Sequence, residues 1–213
     1  MQTDILIVGA GPTGLALACQ LIRFGVDFRI IDKKETTTPY SKAIGVQART
    51  LEIYEQMGLA DKLISLGTVA EKIRMFAGGK IRGEAVFGEL GKGLSPYPFI
   101  LLVEQGLHEK LLYEHIRYQG KDVEWQTEFE ALSQDENGVT ARLKTADGQT
   151  ETVQATYLVG CDGAKSVVRH LLGLQFGGST FERMFYVADV NLDWEYGLVE
   201  QLRRDGTHGF FVI

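Results

Sequence analysis

The sequence predicts an α/β fold: a parallel sheet in which an antiparallel meander replaces one helical crossover, followed by the start of a second sheet domain. Three observations carry this. The first 32 residues read as strand, glycine-rich turn, helix and strand. Further on, Asn137-Gly138 and Asp147-Gly148 separate segments that alternate apolar and polar residues. Beyond Gly173 the pattern changes again, into strands that the first sheet does not need.

Residues 4–8 form an apolar run after Asp4, as a strand buried on both faces requires. Gly9-Ala-Gly-Pro-Thr-Gly14 follows, then Leu15, Ala18, Leu21 and Ile22 recur at helical spacing and Gly25 closes the helix. Residues 26–32 are a second apolar strand, which completes a βαβ unit. Residues 33–42 are a polar loop. Residues 46–57 read as a helix with Val46, Ile53, Tyr54 and Met57 inward. Residues 69–88 alternate around Gly78-Gly79, which predicts a hairpin. Residues 99–103 are a strand, and residues 105–119 a helix with Leu107, Leu111, Leu112, His115 and Ile116 on one side.

Residues 123–125 make a short strand, and the segments 128–134, 139–145 and 150–154 make the meander. Asn-Gly and Asp-Gly supply the positive φ that tight hairpins need. Residues 157–160 resume an apolar strand, and residues 166–172 form a short helix ending at Gly173. Residues 184–192 and 209–213 read as strands. The chain stops inside an apolar run, so the last forty residues are expected to open an incomplete second domain.

Composition narrows the function. With 45% hydrophobic and 23% charged residues over 213 positions, the chain can bury a core, which excludes disorder. A net charge of −6 disfavours a nucleic-acid partner. No apolar run approaches the roughly 20 residues a membrane helix needs. Two cysteines without a CxxC, and no secretory leader, predict a cytoplasmic protein without a disulfide scaffold. His108, His115, His170 and His208 lack metal-ligand spacing, so no metal is expected. No GxSxG occurs, which removes the α/β-hydrolase reading.

The glycine turn has a mechanical meaning. Gly9 allows the sharp turn off the strand, Gly11 lets a pyrophosphate approach the backbone, and Gly14 lets the helix pack closely. Pro12 suits the first helical position, and Thr13 stands beside it. The helix's free N–H groups and positive dipole end face the phosphate. Asp32 ends the second strand about 20 residues beyond the turn, where a carboxylate can accept ribose hydroxyl protons. It repels a 2′-phosphate, so the site suits FAD or NAD rather than NADP. Lys33 follows it in the same candidate site.

With these motifs the chain resembles the aromatic-ring hydroxylases among the single-component flavin-dependent monooxygenases, the group that includes p-hydroxybenzoate hydroxylase and phenol hydroxylase. Such proteins place an antiparallel meander where an NAD-type dehydrogenase has a helix. Besides the glycine turn and Asp32, three segments carry the likeness. They are Ser41-Lys-Ala-Ile-Gly-Val-Gln-Ala-Arg-Thr-Leu-Glu52, Val103-Glu-Gln-Gly-Leu-His-Glu109 and Tyr157-Leu-Val-Gly-Cys-Asp-Gly-Ala-Lys-Ser-Val-Val-Arg169.

The resemblance implies an FAD-type Rossmann-like domain over residues 1–176, with a hairpin insertion at about 68–103, and a substrate-binding sheet begun by residues 177–213. It implies FAD as cofactor, NAD(P)H as reductant and a small aromatic substrate hydroxylated with O2. Arg49 and Gln105 would touch the flavin's phosphate and ribityl region. Phe129 would offer its backbone to the adenine. Asp162 and Gly163 would hold the loop near the pyrophosphate, supported by Arg169. Lys42 stands where the family commonly has Arg, which keeps the charge without the planar fork. The family's later Gly-Asp segment has no counterpart in these residues. Another FAD oxidoreductase (reductase, dehydrogenase or halogenase) or an inactive dinucleotide-binding fragment are the alternatives. No catalytic acid or base is assigned.

Overall fold

A computed structural model of the chain describes residues 2–39, 45–70, 72–77, 80–86, 91–179, 182, 201–205 and 208–212. In chain order the elements are β1 (Gln2–Val8), α1 (Pro12–Phe24), β2 (Phe28–Asp32), β3 (Gly45–Val46), α2 (Ala48–Glu55), α3 (Ala60–Ser65) and β4 (Thr68–Ala70). They continue with β5 (Lys72–Ala77), β6 (Lys80–Val86), β7 (Ile100–Leu102), α4 (Gln105–Tyr118), β8 (Glu124–Trp125) and β9 (Glu128–Asp135). The last are β10 (Gly138–Lys144), β11 (Thr150–Gly160), α5 (Val167–Leu171), β12 (Gln201–Asp205) and β13 (His208–Val212). They fall into two units, Met1–Ser41 with Gln105–Ser179, and Lys42–Glu104 with Thr180–Ile213.

The first unit holds a six-stranded sheet in the order β8-β2-β1-β11-β10-β9. β1 runs parallel to β2 (Ile7 opposite Ile30) and to β11 (Ile7 opposite Val159). β10 runs antiparallel to β11 and to β9. The predicted parallel sheet and meander are therefore one sheet. Their junction differs from the sequence pattern, which breaks between residues 154 and 157. β11 is a single strand of 11 residues. Its residues Thr150–Ala155 pair with β10, while Gln154–Gly160 pair with β1. The change of pattern marks a change of neighbour, because Tyr157 is exposed where Val153 and Ala155 are buried.

A core of Leu6, Val8, Ile31, Phe129, Ala141, Leu143, Val153, Ala155 and Val168 joins the parallel strands, the meander and α5. α1 buries Gly14, Leu15, Ala18, Cys19 and Leu21, and it packs against α4. Each fully buried Leu or Ile contributes about 1.5–3 kcal/mol relative to an exposed one. α1 stops where Gly25 donates its N–H to the Ile22 carbonyl at 3.0 Å. At the sheet's parallel edge, Arg29 forks onto Glu124 (2.7 and 2.6 Å) and onto Glu151 (2.8 and 2.9 Å). This ties β2 to β8 and β11.

The second unit holds an antiparallel sheet ordered β3-β7-β4, and a sheet ordered β13-β12-β5-β6. The hairpin expected around Gly78-Gly79 is present as β5 and β6, with its two-glycine tip outside the described residues. β12 adds to β5 in parallel, so the hairpin shares a sheet with the chain's last strands. The strand expected at 184–192 lies outside the described residues. The helix expected at 46–57 is shorter. Val46 belongs to β3, where it pairs with Leu101, and Leu51 with Tyr54 forms the buried side of α2. α3 was not expected, because its six residues are too few to show a period. Among the described residues, no helix is long and apolar enough to cross a membrane.

Glu151 titrates below the ordinary glutamate range, chiefly because the Arg29 guanidinium donates to it. A lowered carboxyl stabilises the fold above its unfolded pKa, and that gain disappears as pH falls through the folded value. We expect Arg29→Met to cost about 2–3 kcal/mol at neutral pH, read as a urea midpoint. The gap to the parent protein should narrow as the pH drops below the ordinary glutamate range. A gap that is independent of pH would count against the pair.

Candidate functional site

The turn after β1 is built by close approach. Gly9 has φ +107°, and a Cβ there would lie 2.4 Å from the Cys161 carbonyl oxygen. Its N–H donates to the Ile31 carbonyl at 2.8 Å, and Cys161 N–H donates to Val8 at 2.7 Å. The turn is thus pressed between the ends of β2 and β11. A Cβ on Gly14 would lie 1.9 Å from the Gly9 carbonyl oxygen. Gly11 differs: its backbone is extended (φ −83°, ψ −174°), and a Cβ there would meet nothing within 4 Å. Two glycines are required by the protein's own packing, and the third borders open space.

α1 begins at that space. Pro12 occupies its first turn, no side chain caps Gly11, and no acidic residue stands in the first turn. The free N–H groups and dipole end suit an anion.

Asp32 stands beside the turn. Its Oδ2 accepts the Ala10 N–H at 2.7 Å, and its Oδ1 accepts the Lys34 N–H at 2.9 Å. Each carboxylate oxygen offers two lone pairs, so acceptor capacity remains for a ribose. Lys33 is exposed. The lysine at the carboxylate is Lys34, whose Nζ lies 3.7 Å from Asp32 Oδ2 and 5.8 Å from the centre of the Trp125 ring. The segment after β8 folds over the same strand end. Gln126 N–H donates to the Lys34 carbonyl at 2.8 Å, and Thr127 N–H to the Asp32 carbonyl at 3.0 Å. Gln126 takes φ 55°, the positive value that non-glycine residues rarely adopt. Phe129 lies just beyond, its ring in the core and its backbone on the sheet's edge strand.

Asp162 supports the loop from within. Its Oδ1 accepts from Ser166 Oγ, and its Oδ2 accepts from Val167 N–H at 2.6 Å and Val168 N–H at 3.2 Å. Its carboxylate therefore fixes the start of α5, while the 161–162 backbone touches the glycine turn. Arg169 donates to the Ala164 carbonyl at 2.8 Å, which closes the loop around Gly163. Gln105 stands in the first turn of α4, with its Nε2 donating to Glu109 at 2.8 Å.

In the second unit, the exposed Arg49 on α2 is paired with Glu52 at 2.8 Å. Lys42 lies outside the described residues. The sequence pattern missed Lys34, Gln126 and Glu109. Glu109 occupies the helical face of Leu112 and Ile116, and a carboxylate within an apolar stripe is the signal that points to it.

The surroundings of both thiols disfavour the thiolate. Burial pushes the Cys19 thiol up to about 12, and burial with the nearby Asp162 charge also raises Cys161. Among the described residues, no cluster of His, Cys, Asp or Glu is arranged to hold a metal.

Strand, glycine turn, helix and acid at the next strand's tip define a dinucleotide-binding protein. The chain belongs to the FAD binding domain family, whose model matches residues 2–206. It is 36% identical over 97% of its length to a flavin-dependent monooxygenase of Mycobacteroides abscessus. It is 34% identical over 91% of its length to the pentachlorophenol 4-monooxygenase of Sphingobium chlorophenolicum. The chain spans 42% and 36% of those two relatives. A solved flavin-dependent monooxygenase in complex with FAD and substrate matches 84% of this chain and 33% of its own, with a TM-score of 0.78 at 30% identity. A p-nitrophenol 4-monooxygenase from Pseudomonas putida matches 84% of this chain and 46% of its own, with a TM-score of 0.80 at 25% identity.

The two kinds of glycine should separate on substitution. Gly14→Ala drives a Cβ into a backbone carbonyl and should cost about 3 kcal/mol or more. Gly11→Ala fills open space and should cost under about 1 kcal/mol. Urea denaturation of both variants decides it, and equal costs would refute the asymmetry.

Proposed function

We propose that the chain forms the FAD-binding part of a cytoplasmic enzyme that hydroxylates a small phenol-like compound, with NAD(P)H as reductant and O2 as co-substrate. The observation that carries the reading is the open space at Gly11, on a turn otherwise closed by its own backbone. Gly9, Gly11, Pro12, Thr13 and Gly14 would line the pyrophosphate, with the Asp162–Gly163 loop against the same turn. Asp32 would accept from the adenosine ribose, and Lys34 would stand beside it. The backbone near Phe129 would meet the adenine. Gln105, Arg49 and Lys42 would serve the flavin side.

When bound, FAD supplies the redox chemistry, taking reducing equivalents from NAD(P)H and activating O2 for transfer to the ring. The residues above bind and orient it. The raised thiols of Cys19 and Cys161 speak against a cysteine nucleophile. Pentachlorophenol 4-monooxygenase and p-nitrophenol 4-monooxygenase, as relatives, support a phenol as substrate. We assign residues 1–176 to the FAD-binding domain, with the hairpin insertion at about 68–103, and residues 177–213 to the start of a substrate sheet. The pairing of β5 with β12 supports counting that hairpin with the substrate sheet.

Titration with FAD, followed by flavin fluorescence, tests the site. Asp32→Ala should weaken binding about ten- to a hundredfold by removing a charged hydrogen bond. Gly11→Val should abolish it while leaving the fold. Parent protein that leaves flavin fluorescence unchanged would overturn the FAD assignment. In the whole enzyme, a phenol should accelerate NAD(P)H oxidation and gain a hydroxyl; indifference to phenols would overturn the hydroxylase assignment.

A further inference from the structure

Among the described residues, Glu109 is the one charged side chain in the buried class, 1% exposed. It stands on α4 in line with Leu112 and Ile116, where an apolar residue would continue the stripe. A carboxylate buried there is costly unless donors surround it. Three do. Gln105 Nε2 donates to Oε1 at 2.8 Å, and Thr38 N–H donates to Oε2 at 2.8 Å. Lys34 Nζ lies 3.9 Å from Oε2. The same contact is reinforced from the backbone, since a Cβ on Gly106 would lie 2.8 Å from the Thr38 carbonyl oxygen. The loop that follows Asp32 is therefore pinned to α4 by the Thr38 N–H, with the Thr38 carbonyl packed close against Gly106.

This arrangement also settles which way the Gln105 amide points. A carboxylate only accepts, so the amide must turn its NH2 toward Glu109 and its carbonyl oxygen away. A carbonyl oxygen accepts from a hydroxyl and repels a phosphate oxygen. Gln105 held this way is suited to a sugar-alcohol hydroxyl rather than to the pyrophosphate.

We propose that Glu109 is a positioning residue of the cofactor site, which fixes Gln105 as an acceptor and holds the Lys34–Thr38 loop behind the ribose-binding Asp32. The proposal rests on the FAD reading above. Glu109 touches no ligand itself; it acts through Gln105 and Thr38.

A double-mutant cycle on FAD binding tests it. Glu109→Gln is nearly isosteric, removes the charge facing Lys34 and lets the Gln105 amide flip. We expect it to weaken FAD binding about tenfold, and Gln105→Ala to do the same. The double variant should lose clearly less than the product of the two single losses, because the part of the Glu109 effect that runs through Gln105 is already gone. Without FAD, amide exchange at Thr38 should quicken in Glu109→Gln. Should that variant not fold, Glu109→Asp withdraws the carboxylate by one methylene and enters the same cycle. Parent-like affinity in the Glu109 variant, or additive losses approaching a hundredfold, would refute the positioning role while the FAD reading stands. If the parent protein binds no FAD, the functional reading fails and this role falls with it.

Discussion

The first unit is organised around one close approach: the start of α1 lies on the carbonyl of Gly9, at a distance no side chain at residue 14 allows. Because the helix sits so near, its N-terminus faces the end of the parallel strands. The turn cannot relax outward, since Gly9 is also bonded to Ile31 and stands against Cys161. Three strand ends and one helix start thereby share a small volume. Within this crowded turn Gly11 is the glycine with room beside it.

Asp32 belongs to this packing as much as to any ligand. Its two oxygens bind the backbone of the turn at Ala10 and of the outgoing loop at Lys34. The turn and the loop are thereby held in place by the protein's own hydrogen bonds. Asp162 works in a similar way across the sheet, where its carboxylate is spent on the first turn of α5. The carboxylates named in the motifs are thus partly structural. They hold backbone in place at the glycine turn, the outgoing loop and the start of α5.

β11 explains how a meander can stand in for a helix. A parallel strand needs a long crossover before it can join β1. Here the crossover is a pair of antiparallel strands ending in β11, which pairs with β10 along its first half and with β1 along its second. The same core covers both halves, through Val153 and Ala155 beside Leu6 and Val8. The Arg29 fork onto Glu124 and Glu151 ties β2 to β8 and β11 as well. A parallel and an antiparallel region are thus joined through one continuous strand.

Local patterning made much of this legible. The strand, turn and helix of the opening unit, the Asn-Gly and Asp-Gly hairpins and the helix from Gln105 follow from period and turn chemistry, which act over a few residues. The three glycines and Asp32 were readable for the same reason. The continuity of β11, the place of Val46 in a strand, and the sharing of one sheet by β5 and β12 were not. Each depends on a partner far away in sequence. The same holds for Lys34 over Lys33, for the positive φ of Gln126, and for Glu109 as the buried anchor of Gln105 and Thr38. By itself the sequence determined which segments are strands and helices, and where an anion could sit, because those are local properties of backbone and side chain. Only the tertiary structure decided which polar groups are consumed inside the protein, because that depends on what packs against each of them.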